Sequence, residues 1–354
     1  MNQPAPPSGV STPSRWPAPA SETAAGAGLA ILVNANAKRG GRRVGVEIAR
    51  ALPGASVRLT KGIPEIESWL RVLPESRAVL AAGGDGTAVA LVNALARTTP
   101  PGRELPIMGV LPLGTGNAWA HALGAPKLYA CLEALAVSRG PLPVRRFSLV
   151  EAEGTLAHFS GSGWDAMILD DFQRQVAASR GPGRHLSKSV YGYVSATLLR
   201  TVPKVAIFGS PKVVIENLGD EVYEVGPDGE PRRLDGVGPG TVLYDAPAGI
   251  TAVGTCPEFG YRFKAFPYAE RMPGFISVRA FRRGAVGAVA SIPKLWRGDP
   301  AIEGMHDWLA THVRMTFSRE VPVQVGGDSW GMRRSIEYRA ASRDVRVVHW
   351  RRMF

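Results

Sequence analysis

The sequence predicts an open parallel α/β domain followed by a β-sandwich-like second domain. In residues 28–144, apolar runs alternate with segments of helical composition, which is the pattern of a parallel sheet covered by helices. In residues 145–320, apolar and polar residues alternate with frequent Gly and Pro, which is typical of short strands. In residues 321–354 we predict strands at about 321–325 and 335–338, and we expect them to pack back on the first domain near the cleft between the two domains. Residues 1–27 are rich in Pro, Ala and Ser, and we expect a disordered tail.

Composition limits the classes of function. The 354 residues have a mean hydropathy of −0.02 and no apolar run near the roughly 18 residues of a membrane span. A net charge of +12 favours an anionic partner. We rank a membrane surface ahead of nucleic acid, because the aromatic–basic interleaving of nucleic-acid modules is absent. The two distant cysteines match no metal-ligand spacing and fit a reducing cytosol. We therefore predict a cytoplasmic protein that associates peripherally with the membrane and binds no nucleic acid.

The elements of the first domain follow from local sequence. Apolar runs at 29–33 and 78–82 predict buried strands. Residues 88–96 predict a helix, because they carry Ala, Leu and Val without Gly or Pro. Further strands are predicted at 55–59 and 106–111, and further helices are predicted up to about 52 and over 64–72.

The stretch Gly-Gly-Asp-Gly-Thr at 83–87 joins a predicted strand to a predicted helix. Its three glycines leave backbone N–H groups uncovered at a helix N-terminus, which is a site where phosphate binds. Asp85 would repel phosphate unless it acts through Mg²⁺ or takes a proton from the attacking group. The alternative interpretation is a Gly-rich turn in which Asp85 caps a helix.

Polar residues follow the carboxyl ends of four predicted strands, at Asn34, Thr60, Asp85 and Thr115. Ligands of open α/β sheets bind beyond these ends. One polar residue at a strand end is ordinary. Four of them, two in Gly-rich loops, predict a single binding crevice.

The second domain contains one predicted helix, at 189–200. Residues 219–240 are rich in Gly, Asp and Pro, and predict a loop or a hairpin tip. A group of aromatic and basic residues favours either a membrane contact or a solvated strand face; it comprises Phe275, Arg279, Phe281, Arg282 and Arg283. Strands are predicted at 212–215, 241–244, 249–253 and 274–278.

With these motifs the chain resembles the diacylglycerol kinase catalytic-domain family, the soluble bacterial lipid kinases to which sphingosine and ceramide kinases are related. GGDGT alone also occurs in NAD kinases and phosphofructokinases, so the specificity lies in an ordered set of motifs that covers roughly residues 28–350. The set comprises Val33-Asn34 with Gly40 and Gly41, GGDGT at 83–87, PLGTGN at 112–117, GSGWDA at 161–166, KSVYGY at 188–193 and FPYA at 266–269.

The resemblance implies ATP as the phosphate donor and Mg²⁺ as its companion ion, with Asp85 contributing to the phosphate and metal chemistry. Phosphoryl transfer needs an in-line hydroxyl, charge neutralisation on the phosphate and a base near the hydroxyl. The residues that the resemblance assigns to ATP are Asn34, Thr60, Gly83, Gly84, Gly86, Thr87, Gly114, Thr115 and Asn117.

The chain departs from the family at two positions. The family usually carries Asp-Gly-Glu before its last pair of strands, and that Asp is taken as the base for the acceptor hydroxyl. Here Gly326 stands in its place, followed by Gly327 and Asp328, and Ala118 stands where the family often has Asp. In an extended chain Asp328 would lie roughly 6.6 Å along the same face as residue 326, whereas a tight turn at the glycines would swing it inward. We predict that Asp328 serves as the base, directly or through water.

Together these observations predict an ATP- and Mg²⁺-dependent lipid kinase that phosphorylates a hydroxyl of diacylglycerol or of a related sphingoid or ceramide-like lipid at the membrane surface. Two alternatives remain open. One is an NAD-kinase-like enzyme with a soluble acceptor. The other is a catalytically silent nucleotide- or lipid-binding protein, which the missing acid at position 326 favours. The sequence also leaves open whether the chain forms a homodimer.

Overall fold

The structure of the protein is a computed structural model with two sheets, one mostly parallel and a larger one antiparallel. The predicted helix at 189–200, the predicted tail up to residue 23 and Thr115 lie outside the residues that it describes. The described residues are 24–37, 41–73, 76–114, 117–164, 166, 167, 169, 209–258, 263–299 and 302–354.

The first sheet is the predicted parallel α/β domain. Its parallel strands are β1 (Leu29–Asn34), β2 (Ser56–Thr60), β3 (Ala78–Gly83) and β4 (Met108–Pro112), and it is completed by β5 (Val144–Phe147) and β18 (Val345–Val348). Within the described residues the strand order is β2-β1-β3-β4-β18-β5. The helices that connect the parallel strands are α1 (Gly41–Ala51), α2 (Ile63–Val72) and α3 (Asp85–Thr98).

Burial explains why the sequence forms this sheet. All six residues of β3 are buried, as expected for a parallel strand that helices cover on both faces. In α1, Val44 and Ile48 are buried four residues apart, so they present one apolar face to the sheet. Pairing of β4 begins at Met108 rather than at the predicted residue 106, because Pro106 has no N–H group to donate to a ladder.

A C-terminal strand returns to the first sheet as expected, but it is β18, which was not among the strands predicted from the sequence. It pairs with β4 in parallel and with β5 antiparallel, and its residues Val345, Val347 and Val348 belong to the first domain's core. The segments 321–325 and 335–338, which we expected to return, lie in the antiparallel sheet. The helices α4 (Ala118–Ala122) and α5 (Leu128–Val137) were not predicted.

The second sheet contains the predicted short strands. In the described part of the chain it runs β11-β10-β15-β14-β13-β8-β16-β17-β6-β7, with β9 between β12 and β16. Its strands are β6 (Val150–Ala152), β7 (Thr155–Ala157), β8 (Phe159–Gly163), β9 (Lys212–Asn217), β10 (Val222–Val225), β11 (Pro231–Arg233), β12 (Val242–Pro247), β13 (Ile250–Gly254), β14 (Ile276–Phe281), β15 (Met305–Ala310), β16 (His312–Val325) and β17 (Asp328–Ala340).

Local pattern located several of these elements and missed others. The four predicted strands start within two residues of β9, β12, β13 and β14, and the predicted loop or hairpin tip contains the hairpin of β10 and β11. The helix α6 (Ala285–Arg297) was missed, because Pro293 inside it argues against a helix. Within the described residues, no helix has both the length and the apolar character of a bilayer-spanning segment.

The predicted exposure of β14 is wrong. Phe281 and Arg279 are only 2% and 4% exposed, because all six residues of β14 are buried. The Arg279 guanidinium forms an ion pair with Asp307 and donates a further hydrogen bond to the Ala265 carbonyl. These two residues of the aromatic–basic group therefore belong to the interior of the second domain.

Candidate active site

A cleft of about 450 Å³ lies between the first domain and the hairpin of β16 and β17. One wall comes from the ends of β1 and β2 and from α2 and α3. The opposite wall comes from the second sheet, so residues of the two domains face each other across the same space. The lining residues are Asn34, Thr60, Lys61, Gly62, Ile63, Ile66, Gly86, Thr87, Val89, Ala90, Asn93, Arg97, Thr155, Val325, Asp328 and Trp330.

The glycines of the 83–87 turn divide into two kinds. A Cβ on Gly83 would lie 2.2 Å from the Thr87 hydroxyl, and a Cβ on Gly114 would lie 2.6 Å from Gly84 Cα. Gly83 therefore leaves room for Thr87 within its own turn, and Gly114 allows the two Gly-rich loops to pack against each other. A Cβ on Gly86 would meet no atom within 4 Å, and this residue lines the cleft. It leaves the backbone open at the first turn of α3, whose N-terminus has no side-chain cap.

Asp85 joins the two Gly-rich loops. Its Oδ1 accepts a hydrogen bond from the Trp119 backbone N–H at 2.9 Å, so it caps the first turn of α4 rather than its own helix. Burial raises the pKa of Asp85 above its ordinary value, against the lowering effect of the Trp119 and Ala118 N–H groups. Asp85 is not among the residues that line the cleft, and its catalytic and metal-binding roles stay predictions.

Asn117 shapes the second Gly-rich loop. It has a φ of 50°, in the left-handed region, which Asn tolerates better than most residues. Its Nδ2 donates to the Gly114 carbonyl at 2.9 Å. The residue thus holds the loop closed behind the cleft, and its side chain does not line the cleft.

Of the four residues predicted at strand ends, Asn34 and Thr60 line the cleft, Asp85 does not, and Thr115 lies outside the described residues. Asn34 Nδ2 donates to Thr87 Oγ1 at 3.0 Å, which links β1 to the first turn of α3. The Thr60 hydroxyl donates to the Gly62 carbonyl at 2.9 Å and also contacts Glu65, so it shapes the loop that begins α2. These hydrogen bonds hold the first-domain wall of the cleft in one arrangement.

Asp328 forms part of the opposite wall. Gly326 and Gly327 have φ angles of 61° and 89° and form the turn between the paired residues Val325 and Asp328. Asp328 is therefore the first residue of the returning strand, which is the tight-turn alternative rather than the extended one. Its side chain is exposed at the cleft, and the surrounding protein atoms raise its pKa above the ordinary value by desolvation.

The structure thus brings together only part of the predicted set. Asn34, Thr60, Gly86, Thr87 and Asp328 line one cleft. The other described members, Gly83, Gly84, Asp85, Gly114 and Asn117, form the support behind it. Among the lining residues that sequence reasoning did not single out are Lys61, Asn93 and Arg97, and Arg97 follows Asn93 by one helical turn.

The described residues contain no group of three His, Cys, Asp or Glu side chains that could hold a metal ion. Asp328 is the one carboxylate among the residues that line the cleft. Mg²⁺ usually keeps several waters and binds through one or two carboxylates plus substrate phosphates. The donor set therefore fits a magnesium ion that arrives with a nucleotide, and does not fit an all-protein metal cage.

Comparison with known proteins relates the first domain to a described family. Residues 29–143 match the family described as "Diacylglycerol kinase catalytic domain". Over 67 residues the chain is 48% identical to the eye-specific diacylglycerol kinase of Drosophila melanogaster, and over 55 residues it is 47% identical to the diacylglycerol kinase of Bacillus subtilis. These alignments cover 19% and 16% of the chain, and only 4% and 17% of the two relatives. The family match confirms the predicted resemblance.

Comparison of folds finds similarity to solved structures over most of the chain. Two structures of putative diacylglycerol kinases from Bacillus anthracis superpose with TM-scores of 0.63 and 0.62, each at 17% identity. They cover 90% and 92% of this chain, and 94% and 98% of the other chains. At this identity the likeness establishes a shared two-domain fold and nothing finer.

Proposed function

We propose that this chain, whose residues 29–143 match the diacylglycerol kinase catalytic-domain family, is an ATP-dependent lipid kinase. It would transfer the terminal phosphoryl group of ATP to a hydroxyl of diacylglycerol or of a related sphingoid or ceramide-like lipid. One observation carries the proposal. The open N-terminal turn of α3 and the Asp328 carboxylate line the same cleft from opposite domains, which is where a phosphate donor and a hydroxyl acceptor have to meet.

The first-domain wall supports a nucleotide. Gly86 leaves backbone exposed at a helix N-terminus, where N–H groups and the helix dipole favour phosphate. Asn34 and Thr60 lie beside it at neighbouring strand ends. Lys61 and Arg97 are the cations among the lining residues. Arg97 is held by Glu67 at 2.6 Å, so Lys61 is the better candidate for a direct contact with phosphate.

The opposite wall supports the acceptor. A general base must approach the hydroxyl proton to about 2.6–3.2 Å or act through one water, and it works best with a pKa near the operating pH. Desolvation moves the pKa of Asp328 in that direction. We assign Asp328 as the base that takes the acceptor proton, in place of the acid that the family carries at position 326.

Mg²⁺ would be held mainly by the phosphate oxygens of ATP. Asp328 is the one carboxylate among the lining residues, and as the base it would stay free of the ion, so water would complete the coordination. Asp85, the predicted ligand, would support the site through the loops that it joins. When bound, the ion would neutralise charge on the transferring phosphoryl group.

The acceptor implies contact with a membrane, and α6 offers a surface for one. Trp296 on this helix is 38% exposed and contacts Phe263 edge-to-face at 5.6 Å. The last turn of α6 carries Lys294 and Arg297, and the helix contains no acidic residue. Arg297 is paired with Asp299 at 2.9 Å, and an exposed tryptophan beside Lys294 suits the interface of an anionic bilayer. We therefore propose that the protein associates peripherally with the membrane through this end of α6.

One experiment separates the candidate functions. The full chain is incubated with ATP labelled at the γ-phosphate and a total lipid extract, and the products are separated by thin-layer chromatography. A labelled lipid is the expected result. A labelled soluble product, with NAD offered as acceptor, would replace the proposal with a soluble-acceptor kinase. Absence of any labelled product would favour a silent binding protein.

A further inference from the structure

Asn93 lies on α3, two turns after the phosphate-facing residues, and its side-chain amide is fully bonded. Its Nδ2 donates to the Val89 carbonyl and to the Leu156 carbonyl, each at 2.8 Å. Its Oδ1 accepts from the Leu156 backbone N–H at 2.9 Å. The residue is 6% exposed. A buried amide with every contact satisfied is costly to replace, because the partners lose their hydrogen bonds without gaining water.

The partner of Asn93 belongs to the other domain. Leu156 is the middle residue of β7, which is the end strand of the second sheet in the described part of the chain. The Asn93 amide contacts both the N–H and the C=O of Leu156, as a neighbouring strand would. The Leu156 side chain packs into the first domain's core. One side chain of the nucleotide-binding helix thus occupies the edge of the second sheet.

This contact lies next to the hairpin that carries Asp328. A Cβ on Gly326 would approach Val89 Cγ2 to 2.9 Å, so the hairpin turn rests on α3 one helical turn before Asn93. The Gly326 N–H donates to the Phe159 carbonyl at 2.9 Å. The open turn at Gly86 begins the same helix. Asn93 therefore sits between the two reacting walls, and it lines the cleft with them.

We propose that Asn93 is a positioning residue that sets the separation between the phosphate-binding turn of α3 and the Asp328 carboxylate. The inference rests on the proposed function, because the separation matters only if a group is transferred across the cleft. Asn93 acts on catalysis by fixing α3 against β7, and through this contact it determines how close donor and acceptor come. Displacement of reacting groups by about 1 Å can cost roughly a hundredfold in rate.

The test uses two substitutions in the full chain. Asn93→Leu keeps the branched shape of the side chain and removes all three hydrogen bonds. Asn93→Asp keeps the acceptor for the Leu156 N–H and sets a carboxylate oxygen against the Leu156 carbonyl. Thr98→Val is the matched control, because the Thr98 hydroxyl bonds to Ala94 within the same helix and does not reach the second domain. For each variant we would measure kcat, the Kd of ATP by calorimetry, and hydrogen exchange of the Leu156 amide.

We expect both Asn93 variants to lose about a hundredfold in kcat while the Kd of ATP changes less than about threefold. Asn93→Leu should also lose at least tenfold of Leu156 amide protection, and Thr98→Val should behave as wild type. An unchanged kcat, or a kcat that falls only in step with ATP binding, would overturn the positioning role. Unchanged Leu156 protection would overturn the contact itself. Hydrogen exchange of the Leu156 amide requires no enzymatic activity. It therefore tests the contact between Asn93 and Leu156 even if the wild-type protein phosphorylates no lipid and the proposed function fails.

Discussion

The Asp85 carboxylate and the Trp119 backbone N–H are joined by a hydrogen bond of 2.9 Å. This bond ties the first turn of α3 to the first turn of α4, and thereby holds the two Gly-rich loops of the first domain together. The Asp85 carboxylate therefore has a structural role, whether or not it also binds a metal ion. Substitutions can separate the structural role from a role in phosphate or metal chemistry.

Asp85→Asn should lower turnover at least about a hundredfold if the negative charge takes part in phosphate or metal chemistry. The amide oxygen can still accept from the Trp119 N–H, so the melting temperature should change little. Asp85→Ala also removes the cap of α4 and should cost about 1 kcal/mol of stability. Turnover and melting temperature are measured for the two variants together. Full turnover in Asp85→Asn would leave Asp85 with the structural task alone.

Asp328→Ala should lose most of the activity, because the base is removed from the cleft. Ser329→Ala is the control, since Ser329 is the next residue on the same strand and does not line the cleft. In wild type, the acid limb of the pH–rate profile should lie above the ordinary aspartate value of 3.8, because the pKa of Asp328 is raised and a base acts only when it is deprotonated. Full lipid phosphorylation by Asp328→Ala would shift the role of base to Asp85.

Gly326→Asp in the Asp328→Ala background should restore part of the activity. Position 326 has a φ of 61°, which Asp tolerates in two-residue hairpin turns. The new Cβ would meet Val89 Cγ2 at 2.9 Å, so adding Val89→Ala should increase the recovery by making room. Initial rates of the double and triple variants provide the measurement. No recovery in either would mean that an acid at 326 cannot reach the acceptor in this chain.

Binding to vesicles should rise with the fraction of anionic lipid and fall with salt, since exposed charges are screened beyond about 8 Å at physiological ionic strength. Trp296→Ala should weaken binding in a sedimentation assay. Val137→Ala removes a side chain that is 77% exposed on the first domain and should leave binding unchanged. Equal binding of the Trp296 variant and wild type would exclude α6 as the contact surface.

His158 should make the protein sensitive to acid. It is fully buried beside Trp119 and Phe159, and burial lowers its pKa from 6.5 to about 3. Between these values the unfolded chain binds a proton that the folded chain does not, so stability falls as the pH drops from 6.5 towards 3. In this range, His158 alone lowers the free energy of unfolding by about 1.4 kcal/mol for each pH unit of acidification. Denaturant unfolding of His158→Leu should show a shallower decline than wild type, and equal slopes would contradict this account.

The sequence predicted the first wall of the cleft well, because strand ends of a parallel sheet meet by topology. Asn34 and Thr60 could be placed from strand ends alone, whereas Thr87, which lies on α3, was assigned only through the family resemblance. The role of Asn93 could not be predicted, because an Asn within a helix of Ala, Leu and Val carries no local signal. Its hydrogen-bond partner, Leu156, lies 63 residues away in the sequence. The direction of the Asp85 carboxylate could not be predicted for the same reason, because its partner, the Trp119 N–H, is 34 residues away.

Turns and exposed surfaces were harder to predict. The two glycines at 326 and 327 left the extended and turned forms open, and only the pairing of Val325 with Asp328 distinguishes them. The burial of Arg279 depends on Asp307 from the neighbouring strand, which no local pattern reveals.

The position of β18 has a consequence for how the chain folds. It lies between β4 and β5 in the first sheet, although the entire second domain separates it from them in sequence. Until residues 345–348 have left the ribosome, the facing edges of β4 and β5 have no partner, and an open strand edge invites pairing with other chains. We therefore expect the first domain to complete its fold last and not first, and a nascent chain that stalls inside the second domain to be prone to aggregation.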